Sequence, residues 1–166
     1  MEPKSVRVGA MKGSPDIIEF LNEALAAEVT AINQYFINSK LCEDWGWTRL
    51  AAKMREESIE EMHDAEKLMD RILYLDGMPR LESLTGMRTG GTVEEQLEND
   101  RQLEEAAIER YRRGVLLATK HEDVGTRDLL EGLLVGEEGH LDWIETQQSA
   151  IADIGIQNYL QSQIGD

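Results

Sequence analysis

Apolar side chains recur every three or four positions along most of the chain, and the interruptions in that rhythm divide it into helices. Ser14-Pro15-Asp16 is a start signal: a capping hydroxyl, a proline at the first helical position and an acid in the first turn. Apolar residues then fall at Ile17, Phe20, Leu21, Leu25, Val29, Ile32 and Phe36, which predicts a buried helical face. This first helix is expected to run to about Leu41, before a break around Asp44-Trp45-Gly46. A second helix, about 48–75, carries Leu50, Met54, Ile59, Leu68, Ile72 and Leu75 on or near its inner side and stops at Asp76-Gly77-Met78-Pro79. Thr92-Val93-Glu94-Glu95 resembles a capping box that opens a third helix reaching about Lys120. After a short break at 121–125 a fourth helix spans about 126–153, and Gly155 separates it from a tail helix at about 156–163.

Residues 78–91 have weak periodicity and three glycines, too long a stretch for a tight turn but suited to a crossover along the length of a bundle. The expected fold is therefore all-α: a four-helix bundle (residues 14–166) with one long crossover and a short fifth C-terminal helix. Each long helix of about 28 residues would measure roughly 40 Å. Residues 1–13 read as a flexible lead, with Met11 an alternative start. Gly132, Gly136 and Gly139 weaken the fourth helix by roughly 1 kcal/mol each relative to alanine, which suggests close approach to a neighbour.

Composition narrows the function. The 166 residues include 33 acidic and 17 basic side chains, a formal charge of −16. That excess argues against nucleic acid and against docking on an anionic membrane surface. No apolar run approaches the roughly 18 residues of a membrane span, and the start of the chain has no apolar signal-peptide core. The single cysteine, Cys42, excludes an intrachain disulfide framework and fits a reducing cytoplasm.

Some of the acids stand where core residues belong. Glu28 lies seven residues after Leu21 and four before Ile32; Glu104 lies seven after Leu97 and seven before Tyr111. Glu137 and His140 are three apart, so both point the same way from one helical turn, and Glu61 and Asp64 repeat the spacing. A shift of 76 residues carries Glu28 to Glu104, Tyr35 to Tyr111, Glu61 to Glu137 and Asp64 to His140, which suggests one helix pair used twice about a pseudo-twofold axis. Carboxylates buried together need compensation, because each uncompensated ion costs several kcal/mol. Two divalent cations would supply it. A Glu from each of two helices plus Glu-x-x-His from each of the others is the donor set of a carboxylate-bridged di-iron centre; oxygen and imidazole ligands suit iron or manganese, and zinc could occupy the site without turnover. No P-loop, dinucleotide fingerprint or nucleophile elbow accompanies these residues.

Around these positions the sequence resembles a bacterioferritin, a haem-containing ferritin-like protein. The segments that carry the resemblance are Leu21-Asn22-Glu23 to Glu28, Ala31-Ile32-Asn33-Gln34-Tyr35-Phe36, Glu57-Ser58-Ile59-Glu60-Glu61-Met62, Arg71-Ile72-Leu73, Glu137-Glu138-Gly139-His140-Leu141-Asp142-Trp143 and Gln157-Asn158-Tyr159-Leu160. It covers residues 11 to about 163 without gaps. The resemblance implies a hollow 24-subunit shell that oxidises Fe(II) with O2 or peroxide and stores ferric mineral. It implies bridging ligands Glu61 and Glu137, terminal ligands Glu28 and Glu104, and His140 as a further ligand. Tyr35 and Tyr111 would support the centre by hydrogen bonding, with Tyr35 also an electron donor. It further implies that Met62 ligates a b-type haem shared across a subunit twofold, near which Trp45 would lie, and that an electron-donating ferredoxin is a partner. Glu56, Glu57 and Glu60 form a solvated face, part of which could be the interior wall.

The sequence departs from the family at one ligand. It reads Glu61-Met62-His63-Asp64, so the histidine stands one residue early and is turned by about 100°. Asp64 could act as a weak or water-bridged ligand, the reading we favour. A local distortion could bring His63 in, or the centre could be impaired and the chain could work beside a second bacterioferritin subunit type. Reduced ferroxidase activity is the expectation in either case where Asp64 stands in, with His63 on the dimer surface.

Overall fold

The computed structural model describes residues 13–81 and 86–165. The lead at 1–12, including Met11, and residues 82–85 of the crossover lie outside the described residues. Five helices follow in order: α1 (Pro15–Asp44), α2 (Thr48–Tyr74), α3 (Val93–Lys120), α4 (Val124–Ile154) and α5 (Ile156–Ser162). No strand occurs among the described residues, and no helix there is long and apolar enough to cross a membrane.

Local chemistry accounts for most of the boundaries. Pro15 takes the first helical position, but the Ser14 side chain makes no capping bond, contrary to the sequence expectation. Thr92 does cap α3, its Oγ1 accepting from Glu95 N–H at 3.2 Å. Glu95 reaches back one residue further than a capping box requires, accepting from Gly91 N–H at 2.7 Å. Asp123 caps α4 by accepting from Thr126 N–H at 3.0 Å and is itself held by Arg71 of α2 at 2.7 Å. At the end of α2 the left-handed residue is Asp76, with φ 60, not Gly77. Gly77 is needed for space instead, since a Cβ there would stand 2.9 Å from Ile18.

Cross-helix bonds fix the topology. Ser58 donates to Ile32 O, and Gly13 N–H bonds Leu75 O, so α1 and α2 run antiparallel. Asp100 meets Asn38, and Gly114 meets Phe20, so α3 is antiparallel to α1. Arg71 near Thr126 and Glu60 near His140 make α4 antiparallel to α2. The crossover returns along α1, tied by Arg80 N–H to Asn22 and by Arg88 N–H to Gln34. Tyr159 of α5 donates to Gln147, and Arg49 N–H bonds Gln163 O, so α5 closes one end of the bundle.

The apolar core is in two parts. One surrounds Leu21, Leu25, Leu68, Ile72 and Leu130; the other surrounds Tyr35, Cys42, Leu50, Met54, Leu97 and Ile144. Buried acids occupy the level between them. Three sequence expectations are corrected here. Phe36 and Ile59 lie on outward faces, 46% and 43% exposed. The regular turn of the helix carries the outer rows of a broad apolar stripe past the packed edge. Gly132, Gly136 and Gly139 approach nothing among the described residues: they are exposed, and a Cβ on any of them would meet open space there. α1 also outlasts its predicted end by three residues, because Trp45 N–H still bonds Leu41 O.

A Cβ on Gly114 would stand 2.3 Å from the Phe20 ring. Gly114→Ala is therefore expected to lower stability by about 1–3 kcal/mol despite the better helix propensity of alanine. Gly136→Ala, with free space, is expected to raise it by about 0.5–1 kcal/mol. Thermal unfolding of the two variants beside the parent checks the sign of each.

Candidate metal centre

Each of the four long helices sends one glutamate into the level between the apolar clusters. Glu28 of α1, Glu61 of α2, Glu104 of α3 and Glu137 of α4 are all at most 3% exposed. Glu61, Glu104, Glu137 and His140 each place one donor atom within 4.8 Å of the others. His140 Nδ1 lies 3.2 Å from Glu61 Oε1, 3.3 Å from Glu137 Oε2 and 3.7 Å from Glu104 Oε1. Yet both Glu61 oxygens, Glu104 Oε2, Glu137 Oε2 and His140 Nδ1 are buried without an aligned hydrogen-bond partner. Buried polar atoms are nearly always satisfied. Five orphans converging on one point have the chemistry of a hard-cation site, and the donor set fits iron or manganese.

The tyrosines act as reciprocal struts. Tyr35 of α1 donates to Glu104 on α3, and Tyr111 of α3 donates to Glu28 on α1. Both phenols are fully enclosed, and burial together with the carboxylate each one faces pushes its pKa well up, so each keeps its proton and stays a donor.

The far side of His140 carries two residues whose part the sequence reading missed. Its Nε2 lies 3.0 Å from Glu57 and 3.0 Å from Glu60. A carboxylate on the distal nitrogen fixes ring orientation and leaves the proximal nitrogen to a metal. Glu57 is also corrected in place: it is 2% exposed and paired with Lys53, not part of a solvated face. Asp100, fully buried one turn before Glu104, accepts from Gln34 at 2.7 Å and from Asn38 at 3.0 and 3.1 Å. Each stands four residues before a cluster glutamate, a helical-neighbour spacing that could have flagged it.

Asp64 is turned inward, 8% exposed, while His63 is on the surface of an unbroken helix. The carboxylate does not join the four-residue group. Its Oδ1 accepts from Lys67 Nζ at 2.7 Å. Met62 is 47% exposed on the outer side of α2, one turn from exposed Ile59. Trp45 is half-buried at the end of α1.

Electrostatics report the strain of collecting acids. Burial lifts Glu28 to about 7, with the Glu137 charge adding and the Tyr111 hydrogen bond opposing. Burial lifts Glu137 to about 8, and lifts Glu61 well above the carboxylate range. His140 is desolvated too, but its contacts with Glu104, Glu137 and Glu61 outweigh that and raise its pKa, keeping it charged. Asp100 is raised to about 7 by burial against its amide donors.

The ferritin-like domain family matches residues 18–154. The chain is 46% identical over 154 residues to a bacterioferritin of Streptomyces coelicolor, spanning 93% of this chain and 92% of that one. It is 46% identical over 151 residues to a bacterioferritin of Brucella melitensis (91% and 94%), and 42% identical over 149 residues to one of Mycobacterium leprae (90% and 94%).

The raised carboxyls set a pH dependence. A group whose folded pKa lies above its unfolded value binds protons more tightly when folded, so its stabilisation is complete below the unfolded pKa and is lost as pH rises through the folded one. For Glu28 and Glu137 that window runs from about 4.5 to about 8, and His140 acts in the same direction above 6.5. A divalent cation bound at the cluster would take the place of those protons. The rise in melting temperature on adding Zn(II) to metal-free protein is therefore expected to be larger at pH 8 than at pH 5.5, as calorimetry at both pH values would measure.

Proposed function

The chain belongs to the bacterioferritins of the ferritin-like domain family, and on that premise we propose that it is an iron-storage subunit that oxidises Fe(II) at the acid cluster between its four helices. The observation that carries this is the convergence of unpaired, buried donor atoms from Glu61, Glu104, Glu137 and His140. Fe(II) is the substrate and O2 or peroxide the electron acceptor; the ferric product passes to mineral inside a 24-subunit shell. Glu61 and Glu137, with their free oxygens, suit the bridging role. Glu104 and Glu28, each braced by a tyrosine, suit terminal positions. Tyr35, protonated and hydrogen-bonded to Glu104, can supply an electron when iron supplies too few.

Haem is the second part of the proposal. An exposed thioether beside exposed Ile59 suits a ligand completed by a second copy of the chain, and a b-type haem held there would supply electron transfer. An electron-donating ferredoxin is the partner this implies. The reducing cytoplasm fits the buried single thiol Cys42, whose pKa burial pushes to about 12.

A second reading has its own support. The Asp64 carboxylate is engaged by Lys67, which favours a subunit of low ferroxidase activity that works beside a second, competent bacterioferritin subunit in a mixed shell. Purification from the native source distinguishes the two by whether a related chain accompanies this one.

Three expected outcomes test these assignments. Glu61→Ala is expected to slow O2-dependent Fe(II) oxidation at least tenfold, about 1.4 kcal/mol in the barrier, in stopped-flow absorbance. Asp64→His is expected to speed it, and an equal or slower rate would count against Asp64 as the weak point. Met62→Leu is expected to assemble normally but to lose the Soret band after reconstitution with haem.

A further inference from the structure

The pseudo-twofold repeat that relates Glu28 to Glu104 and Glu61 to Glu137 predicts two alike metal positions, but three independent features break the likeness. The first is the holder of the fifth ligand. On one side His140 has its distal nitrogen fixed by Glu57 and Glu60 at 3.0 Å each. The same 76-residue shift that relates the ligands carries Glu57 and Glu60 to Leu133 and Gly136, so Asp64 has no equivalent support. The second is competition. Asp64 Oδ1 is already bonded to Lys67 at 2.7 Å, so a cation there competes with an ammonium. The third is solvent. A cavity of about 240 Å³ under the crossover, between α1 and α3, reaches Glu28, Glu61 and Glu137, with Gln34, Arg88 and Arg110 on its walls. It touches neither Glu104 nor His140.

From these features we infer that the two metal positions are unequal by construction: one, on Glu61, Glu104, Glu137 and His140, retains its ion, and the other, on Glu28 and Asp64 with the shared glutamates, exchanges it. The inference rests on reading the acid cluster as a metal centre and adds a division of labour within it. The retaining position has the imidazole and the braced ring. Borderline divalent ions bind imidazole more firmly than a lone carboxylate that a lysine already engages. At the exchanging position the cavity reaches Glu28, and the Asp64–Lys67 pair, with Lys67 56% exposed, opens at small cost. The arginines on the cavity wall also disfavour a second cation on that side.

Zn(II) titration of the metal-free protein by calorimetry, counting only uptake lost in Glu137→Gln, tests this without turnover. The parent is expected to take one ion per chain tightly and a second at least tenfold more weakly. Asp64→His is expected to draw the second affinity to within about tenfold of the first. Lys67→Met, a change at an exposed position, is expected to strengthen the second ion severalfold and leave the first unchanged. Two ions of equal affinity in the parent, or a Lys67→Met effect on the first ion alone, would overturn the inequality while leaving the metal centre standing. Zn(II) uptake that Glu137→Gln leaves intact would overturn the metal centre itself.

Discussion

Like charges buried at one level of a helix bundle are the constraint on which the remaining structure depends. Glu28, Glu61, Glu104 and Glu137 are buried at this level, and Glu61, Glu104 and Glu137 face the His140 imidazole. Each uncompensated buried ion costs several kcal/mol, and a domain's whole net stability is about 5–15 kcal/mol. The cluster therefore has two affordable states. In one, protons neutralise it, as the elevated pKa values of Glu28 and Glu137 indicate. In the other, the one the proposed function calls for, two divalent cations would cancel four carboxylates. The apolar clusters on either side hold the backbone in place for both, so the site is preformed instead of being assembled by its ligand.

Within the cluster, hydrogen bonding separates fixed groups from free ones. Tyr35 and Tyr111 cross between α1 and α3 in opposite directions and each holds one carboxylate. Glu61 and Glu137 on α2 and α4 have no such brace, and both Glu61 oxygens are unpaired. A carboxylate that must span two ions needs both oxygens available and some freedom to shift. One that closes the coordination of a single ion benefits from being held. The same two struts also tie the α1–α2 pair to the α3–α4 pair at the level where apolar packing is interrupted.

Much of this was legible in the sequence for identifiable reasons. The helices could be read because an amphipathic period, a proline at a first position, Thr92 three before Glu95, and Asp76-Gly77 are local signals that tertiary contacts did not override. The inward glutamates Glu28, Glu61, Glu104 and Glu137 and the place of His140 could be read because one shift superimposes both halves. What escaped was whatever broke that symmetry or depended on a neighbour. Glu57 and Asp100 map onto Leu133 and Ala24 under the shift, so the repeat argument passes over them. Phe36 and Ile59 sit at the margin of their stripes, where periodicity alone does not separate the packed row from the next. The glycines of α4 show that weak helix propensity does not reveal whether a glycine faces a neighbour or open space.

The change at position 64 belongs with a wider asymmetry instead of standing alone. A histidine that binds metal needs a second partner to hold its ring, and two acids on the facing helix are placed to serve His140 in that way. The repeat-equivalent positions on α4 are an apolar residue packed in the core, Leu133, and an exposed glycine, Gly136. A histidine at 64 would lack the acids that steady its counterpart, whereas an aspartate needs no such holder and can be satisfied by Lys67 three residues along its own helix. Ligand, holder and counter-ion thus differ together between the two sides, and each difference makes the others tolerable. The acid excess of the chain is distributed on the same principle. On the proposed reading, charge is concentrated enough to keep a cation where an imidazole joins the carboxylates, and diluted enough to let one go where a lysine engages Asp64.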